Sequence, residues 1–448
     1  MQAEQKLQEA IDVLAASSAD SEAAKIDRIQ FVERAKRMLS AIQAGDTHEL
    51  VEQRQAVEVA DGVPVAHQLE GVDAEIGLAR GESPFLGAAL MHTATALGTV
   101  LPKTLEALRA GRVSEYHTRV VAEQTSHLGA AHRREIDAAI AHRLGKASSG
   151  QLRKLILGHA LRLDRAAAEQ RAALSKRQRR VWLDPASDDS VFVSAELPTH
   201  QGLAVMEALK QRANQRLAAA AAENTPEMPR VAQGQAMADV FVELLTGQAT
   251  ANGVTAEVIV VMEDTTVFGN DDQPAWIPGH GPLPSGMIKE WLADPDAKTF
   301  LRRMYTRPSD GQLVALESRR RRFPAGLAKM LLLRDDTCAT PGCNSPIRDA
   351  DHRHPWAKGG PTSWANATGL CKRCNLRKEQ RGWRYTGTPD ELTVTTPTGH
   401  QYTVPTLPPL TQLRPNGSDP PANSDPPPPG LVIDIRRPTA DVVWRLAA

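Results

Sequence analysis

The chain has 448 residues, 41% hydrophobic and 24% charged, with a formal net charge of zero, the ordinary balance of a soluble globular protein and too long for a single core. Its start, Met1-Gln-Ala-Glu-Gln-Lys-Leu7, is charged and lacks the apolar segment of a secretory signal, and its most apolar run, Phe85 to Leu101, is interrupted by His92 and threonines, which argues against a leader and against a bilayer span. With four cysteines that all fall in close pairs, a cytoplasmic protein without a membrane partner is expected.

Residues 1–44 have helical periodicity: Leu7, Ile11 and Leu14, then, after a break at Ser17–Ser21, Ile26, Ile29, Phe31, Ala35 and Leu39. Further helices are expected over 84–97, 102–110, 113–128, 131–144 and 149–163, with breaks at Gly111, Gly129 and Gly145. The pattern predicts an antiparallel helical array with Ala/Leu inner faces. Gly111 and Ser114 read as a helix stop followed by an N-cap, and His117 as a helix-surface or core residue.

The run Leu108-Arg-Ala-Gly111-Arg-Val-Ser114-Glu-Tyr-His117-Thr-Arg-Val-Val121 resembles the N-terminal domain of the bacterial 13E12-repeat family, and Arg179–Trp182 and Val240–Gly247 agree with it. The resemblance covers most of residues 70–320. It implies a domain without an assigned activity that commonly precedes a nuclease module, and it designates no catalytic residue.

Strand character enters at 180–183 and 190–197, helices follow at 202–222 and 234–245, and Val254–Met262 is strongly β-prone. A short helix over 287–292, strands around the Ser309-Asp310-Gly311 turn and a helix over 325–333 complete the middle of the chain. The fold class is therefore α+β, largely helical at the N-terminal end with a small β part.

Charge is unevenly spread. Residues 301–384 hold 18 Lys+Arg against 7 Asp+Glu, a basic module suited to a polyanion. Within it, Arg319, Arg320, Arg321 and Arg322 form a continuous run, and Lys372, Arg373, Arg377, Lys378 and Arg381 a basic helix. These read as phosphate contacts, with a solvated charged face as the plain alternative.

All four cysteines lie within this basic module, the last of them inside the second basic stretch. Cys338 and Cys343 form one pair, Cys371 and Cys374 the other, with 27 residues between the pairs. This is the spacing of a closed tetrahedral zinc site. Between the pairs stand Asp351-His352-Arg353-His354-Pro355-Trp356, Gly359-Gly360 and Asn366, and Asn375 follows the last cysteine. The pattern Cys-x4-Cys, Asp-His-x-x-Pro-Trp, Gly-Gly, Asn, Cys-x-x-Cys-Asn-x-x-Lys resembles the HNH endonucleases over roughly residues 320–385.

That resemblance implies a zinc-stabilised ββα-metal domain. It makes Asp351 a ligand of a catalytic divalent cation, Mg²⁺ or Mn²⁺, His352 the general base, and Asn366 the brace of the loop that orients the histidine. Asn375 stands where many members carry a final histidine and would be the second cation ligand, an "HNN" version. The residue types suit the chemistry: a neutral histidine is a base near pH 7, and hard oxygen ligands hold a cation that neutralises a leaving oxygen. Adjacent residues of a strand face opposite ways, so a bend or strand end must let Asp351 and His352 both reach the site. His354 could assist the site or contact phosphate, with packing or a solvent role as the alternative; Trp356 reads as packing.

Strands are expected at 383–385, 392–395 and 402–404, then ten prolines within 405–430 predict an extended, disordered linker. The apolar end, Leu431–Ile435 and Val442–Trp444, would add an edge strand or bind a partner. The segmentation expected is 1–69 N-terminal helices, 70–318 helical accessory domain, 319–404 nuclease domain and 405–448 tail. The function expected is metal-dependent cleavage of DNA, with a homodimer or sequential nicks needed to cut both strands. The rivals are a zinc-dependent nucleic-acid-binding module that does not cut and a degenerate, scaffold-like member whose helical domain is the working part.

Overall fold

The structure, a computed structural model, describes residues 2–186, 190–222, 231–247, 258–263, 266, 272–293, 298–304, 317–318, 321–406 and 430–436. It divides into two compact units, Met1–Ala173 and Leu174–Ala448. The boundary that composition suggests near residue 318 falls inside the second unit.

The first unit is helical: α1 (Gln2–Ala16), α2 (Glu22–Ala60), α3 (Val72–Ala79), α4 (Pro84–Thr99), α5 (Pro102–Arg109), α6 (Glu115–Thr125), α7 (Ala130–Ile140) and α8 (Ser149–Leu163), with α9 (Arg165–Arg177) crossing into the second unit. The break before α2 is a cap, Ser21 accepting from Ala24 N. α2 runs on to Ala60 through Gly45, past the end expected at 44. Burial of Ala41 and Val51 on its inner face offsets the roughly 1 kcal/mol cost of a helical glycine. Gly111 has φ +68° and Ser114 caps α6.

α3 lies where sequence gives no helical expectation. It is held against α4 at Gly87, where a Cβ would sit 2.0 Å from Asp73 O. Leu97, Leu101, Leu108, Val121, Ile136, Ile140, Leu152 and Ile156 form one apolar core. Its main buried acid is Asp137, which accepts from Lys103 N at 2.6 Å and from Thr104 N at 3.0 Å and so caps α5 from outside. Burial raises the pKa of this carboxyl. Among the described residues no single helix is long and apolar enough to cross a membrane; α4 and α5 pass together, but are bent by 106°.

The second unit opens with an antiparallel hairpin, β1 (Arg180–Pro185) and β2 (Val191–Glu196), and a helix pair, α10 (Thr199–Ala222) and α11 (Gln233–Thr246). Then come β3 (Val258–Glu263), β4 (Ala275–Ile277), β5 (Gly281–Leu283), α12 (Ser285–Ala293), β6 (Lys298–Met304) and β7 (Glu317–Ser318). Residues 254–257 and the expected 309–311 turn lie outside the described residues.

The rest of the unit is α13 (Ala325–Asp335), β8 (Asp349–His352), β9 (Thr362–Ser363), β10 (Ala367–Leu370), α14 (Lys372–Lys378), the meander β11 (Arg384–Thr388), β12 (Glu391–Thr395) and β13 (Gln401–Pro405), and β14 (Gly430–Arg436). β14 pairs with both β3 and β6 in a five-stranded sheet of order β5-β4-β3-β14-β6, an interior place rather than the edge. The proline-rich residues 407–429, and 437–448, lie outside the described residues.

α13 joins sheet and site. Its Leu327 and Leu331 pack with Phe323, Trp364 and Ala367, while Leu333 meets Val261 of β3. It ends at Asp336, a non-glycine residue at φ +59°. The Asp336 carboxylate accepts from Trp276 Nε1 at 2.9 Å and Gly279 N at 2.6 Å, bonds that offset the strain of that backbone position.

Candidate metal centre and nuclease site

The thiols converge because two tight turns face each other. Cys338 N donates to Ser345 O at 2.9 Å and Cys343 N to Thr340 O at 3.0 Å, closing the first turn. Cys371 is the N-cap of α14, its sulfur accepting from Cys374 N at 3.4 Å. All four sulfurs are buried and lie within 4.8 Å of one another, and Cys343 Sγ is 3.9 Å from Cys371 Sγ. Zn–S bonds of about 2.3 Å give a tetrahedron with edges of about 3.8 Å. None of the four is in a disulfide. Hydrogen bonds from Cys338, Cys343 and Cys374 hold the Cys371 thiol well below its ordinary pKa. The group is a site able to hold one metal ion.

β8 and β10 form an antiparallel hairpin, with His352 opposite Ala367 and Asp351 opposite Thr368. α14 follows directly and contacts both strands. Asp349 and Asp351 alternate onto one face of β8. The strand ends at His352, whose Nδ1 lies 3.6 Å from Asp351 Oδ1, so the strand end lets the two neighbours meet.

His352 is buried, its ring 4.6 Å from that of Phe323. Burial lowers its pKa; Lys378 and Arg321 act in the same direction, against Asp351. Its Nε2 lies 2.8 Å from Thr362 Oγ1, and that hydroxyl donates to Arg321 O at 3.4 Å. The ring thus has a polar group at each nitrogen, the Thr362 hydroxyl at Nε2 and the Asp351 carboxylate at Nδ1.

Asn366 ties the connecting loop together. Its Nδ2 donates to His354 O at 3.0 Å and Pro361 O at 2.9 Å, and its Oδ1 accepts from His354 N at 2.8 Å. Gly360 permits this closeness: a Cβ there would lie 2.0 Å from His354 O. The His354 ring engages Lys358 O at 3.0 Å, and Trp356 is exposed.

On α14, Asn375 and Lys378 stand three residues apart on one face. Asn375 Nδ2 donates to Asp349 Oδ2 at 2.9 Å. The Lys378 ammonium pairs with Asp351 and donates to His352 O at 2.5 Å. Lys378 and Arg377 are both buried, and Arg377 lies over the Trp383 ring at 5.8 Å. The basic-helix reading expected phosphate contacts from both; here both are buried and engage groups inside the module.

Lys372 is exposed, 3.7 Å from Asp349. Arg321 and Arg322 are exposed, and Arg319 and Arg320 lie outside the described residues. A cleft of about 660 Å³ is lined by Arg322, Phe323, Arg348, Asp349, Ala350 and Asn375, among others. Sequence reasoning assigned no role to Arg348, Asp349, Phe323 or Thr362. The one signal available was Asp-x-Asp-His, which puts two carboxylates on one strand face.

A ββα hairpin and helix closed by four cysteines, with an Asp-His pair at its strand end, defines a nuclease-type module, and an HNH endonuclease family model matches residues 338–381. A model for a domain of unknown function, DUF222, matches residues 26–335; the chain belongs to this family and carries the HNH domain behind it. Similar curated proteins include, from Mycobacterium tuberculosis, uncharacterized protein Rv3776, 35% identical over 134 residues (29% of this chain and 24% of the relative). Uncharacterized protein Rv2100 is 41% identical over 83 residues, 18% and 15% of the two chains. The matched part thus spans a quarter or less of these relatives' length. No solved structure matches the chain.

Proposed function

We propose that this protein is a metal-dependent DNA endonuclease of the HNH type, with a structural zinc on Cys338, Cys343, Cys371 and Cys374. The observation that carries this is the setting of His352: buried, its pKa lowered by that burial, with Nε2 2.8 Å from the Thr362 hydroxyl and Nδ1 3.6 Å from Asp351; in this reading Nε2–H donates to Thr362 and Nδ1 is the basic nitrogen. Nδ1 takes the proton of the attacking water as its oxygen bonds to phosphorus and the P–O bond to the leaving group breaks. Asn366 holds the loop after His352, and burial of the ring, which packs against Phe323, lowers its pKa.

The donor set fits a hard divalent cation. Asp351 and Asn375 offer oxygens, and Asp351 already attracts a cation, the ammonium of Lys378. Mg²⁺ or Mn²⁺ held there would supply charge neutralisation at the phosphate and leaving oxygen. Arg322 and Arg348 line the cleft beside Asn375, which supports a phosphodiester backbone as the occupant.

A second reading, a nucleic-acid-binding module that does not cut, draws on the same Lys378–Asp351 pair, since the lysine satisfies the carboxylate without a metal. The test is conversion of supercoiled plasmid to the nicked form by zinc-loaded protein with Mg²⁺, Mn²⁺ or chelator, alongside a gel-shift titration. Cation-dependent nicking supports the nuclease; a gel shift with no nicking under any cation supports the second reading and rejects the first.

A further inference from the structure

We infer that Asp349 is a positioning residue for the cation site, acting by fixing which end of the Asn375 amide is offered to the metal. The inference rests on the nuclease reading above. An asparagine amide has a nitrogen that only donates and an oxygen that only accepts, and an ionised carboxylate only accepts. Contact between Asn375 and Asp349 at 2.9 Å therefore requires the amide nitrogen to face Asp349. The oxygen, the only atom of this side chain able to bind a cation, then faces the other way.

The arrangement arises from the crossing of α14 over β8. Asp349 and Asp351 share one strand face, and Asn375 and Lys378 one helix face, giving two rungs, Asn375–Asp349 and Lys378–Asp351. Lys372 pairs with Asp349 at 3.7 Å from a chain that is 69% exposed, and Arg322 and Arg348 line the same cleft; the Asp349–Asn375 contact forms beside them. A histidine ligand has its orientation set by the partner of its second nitrogen. An asparagine ligand needs the same service, since its two ends have nearly equal size and opposite polarity. Asp349 provides it here.

The test is Mn²⁺ binding by the full-length, zinc-loaded protein, followed through the electron paramagnetic resonance signal of free Mn²⁺, with zinc content as the check on folding. Four variants are compared: D351A, D349N, N375D and D349N/N375D. The amide introduced by D349N can donate as well as accept, so Asn375 is free to turn, and this variant is expected to weaken Mn²⁺ binding by about 10- to 100-fold. The carboxylate introduced by N375D presents an oxygen either way round. In the N375D background the D349N change should therefore cost little. An equal loss in both backgrounds would overturn the orientation role and make Asp349 a ligand or a plain source of charge. Wild-type affinity in zinc-loaded D349N, with binding lost in D351A, would overturn the inference alone. Wild-type protein that binds no Mn²⁺, or binds it equally in D351A, would overturn the nuclease site and the role of Asp349 with it.

Discussion

The helical unit and the nuclease module solve opposite packing problems. In the first, Leu101, Leu108, Ile136, Ile140, Leu152 and Ile156 are almost wholly buried in one core, and the hydrophobic effect alone can hold it. In the second, the cluster of Phe323, Leu327, Leu331, Trp364 and Ala367 is small, and Arg334, Arg353, Arg377 and Lys378 are buried, as are the four thiols. Arg334 is paired with Asp335 and lies 4.6 Å over the Trp364 ring. Arg353 has no hydrogen-bond partner for its guanidinium nitrogens among the described residues, and burial brings its pKa down to about 10. A charged interior of this kind is costly. The module has a four-thiol group able to hold a metal ion where the helical unit has buried area.

The largest effect that could break this contrast is metal removal. Structural zinc contributes on the order of 10–16 kcal/mol in finger peptides, more than a small module's own stability. Chelation, or Cys371→Ser, is expected to unfold residues 321–406 while amide exchange in α4–α8 stays slow. Slow exchange throughout the zinc-free protein would show that the module has enough core of its own.

Next in size is the base. His352→Ala is expected to lower nicking by about 10²–10⁴-fold with zinc content unchanged, and wild-type-like cleavage would show that the base is elsewhere. In the wild type the rate should rise with pH along a limb below the ordinary histidine value of about 6.5. Burial, with Lys378 and Arg321, pushes His352 downward, and the active form is the deprotonated ring that appears as pH passes its pKa.

In the helical unit, Leu152→Ala is expected to cost about 2–5 kcal/mol of that unit's stability and to leave zinc content untouched. Zinc loss in this variant would tie the two regions together energetically.

The smallest effect concerns the surface. Replacing Arg319–Arg322 by alanine should weaken binding to all DNA sequences alike, with the slope of log K against log salt falling by about 0.9 per lost phosphate contact. An unchanged slope would leave the run as a solvated face.

What the sequence made legible follows the range of the interactions. The Ser17–Ser21 break, the Gly111 stop with its Ser114 cap, and the strands at 180 and 191 are local choices of cap and propensity, and they stand within a few residues of their expected limits. Cysteine spacing and the adjacent Asp351-His352 pair were equally plain, since close spacing in sequence brings the thiols of each pair, and the two neighbours at the strand end, together. The rungs between β8 and α14 were not legible. Whether Asn375 meets Asp349 or Asp351 depends on the height at which a helix crosses a strand, and no local period records that. The burial of Arg377 and Lys378, read as phosphate contacts, was hidden for the same reason, since burial of a cation needs a partner that is distant in sequence. The pairing of β14 between β3 and β6 is non-local in the same way.

The central claim is that the chemistry belongs to the second unit. Nicking by the full-length protein should therefore be compared with nicking by residues 174–448 and by residues 1–173, at matched zinc content and with added Mg²⁺ or Mn²⁺. The account predicts that residues 174–448 nick plasmid at a rate close to that of the whole chain and that residues 1–173 do not. A folded, zinc-loaded 174–448 piece that is inert while the full-length protein cuts would contradict it.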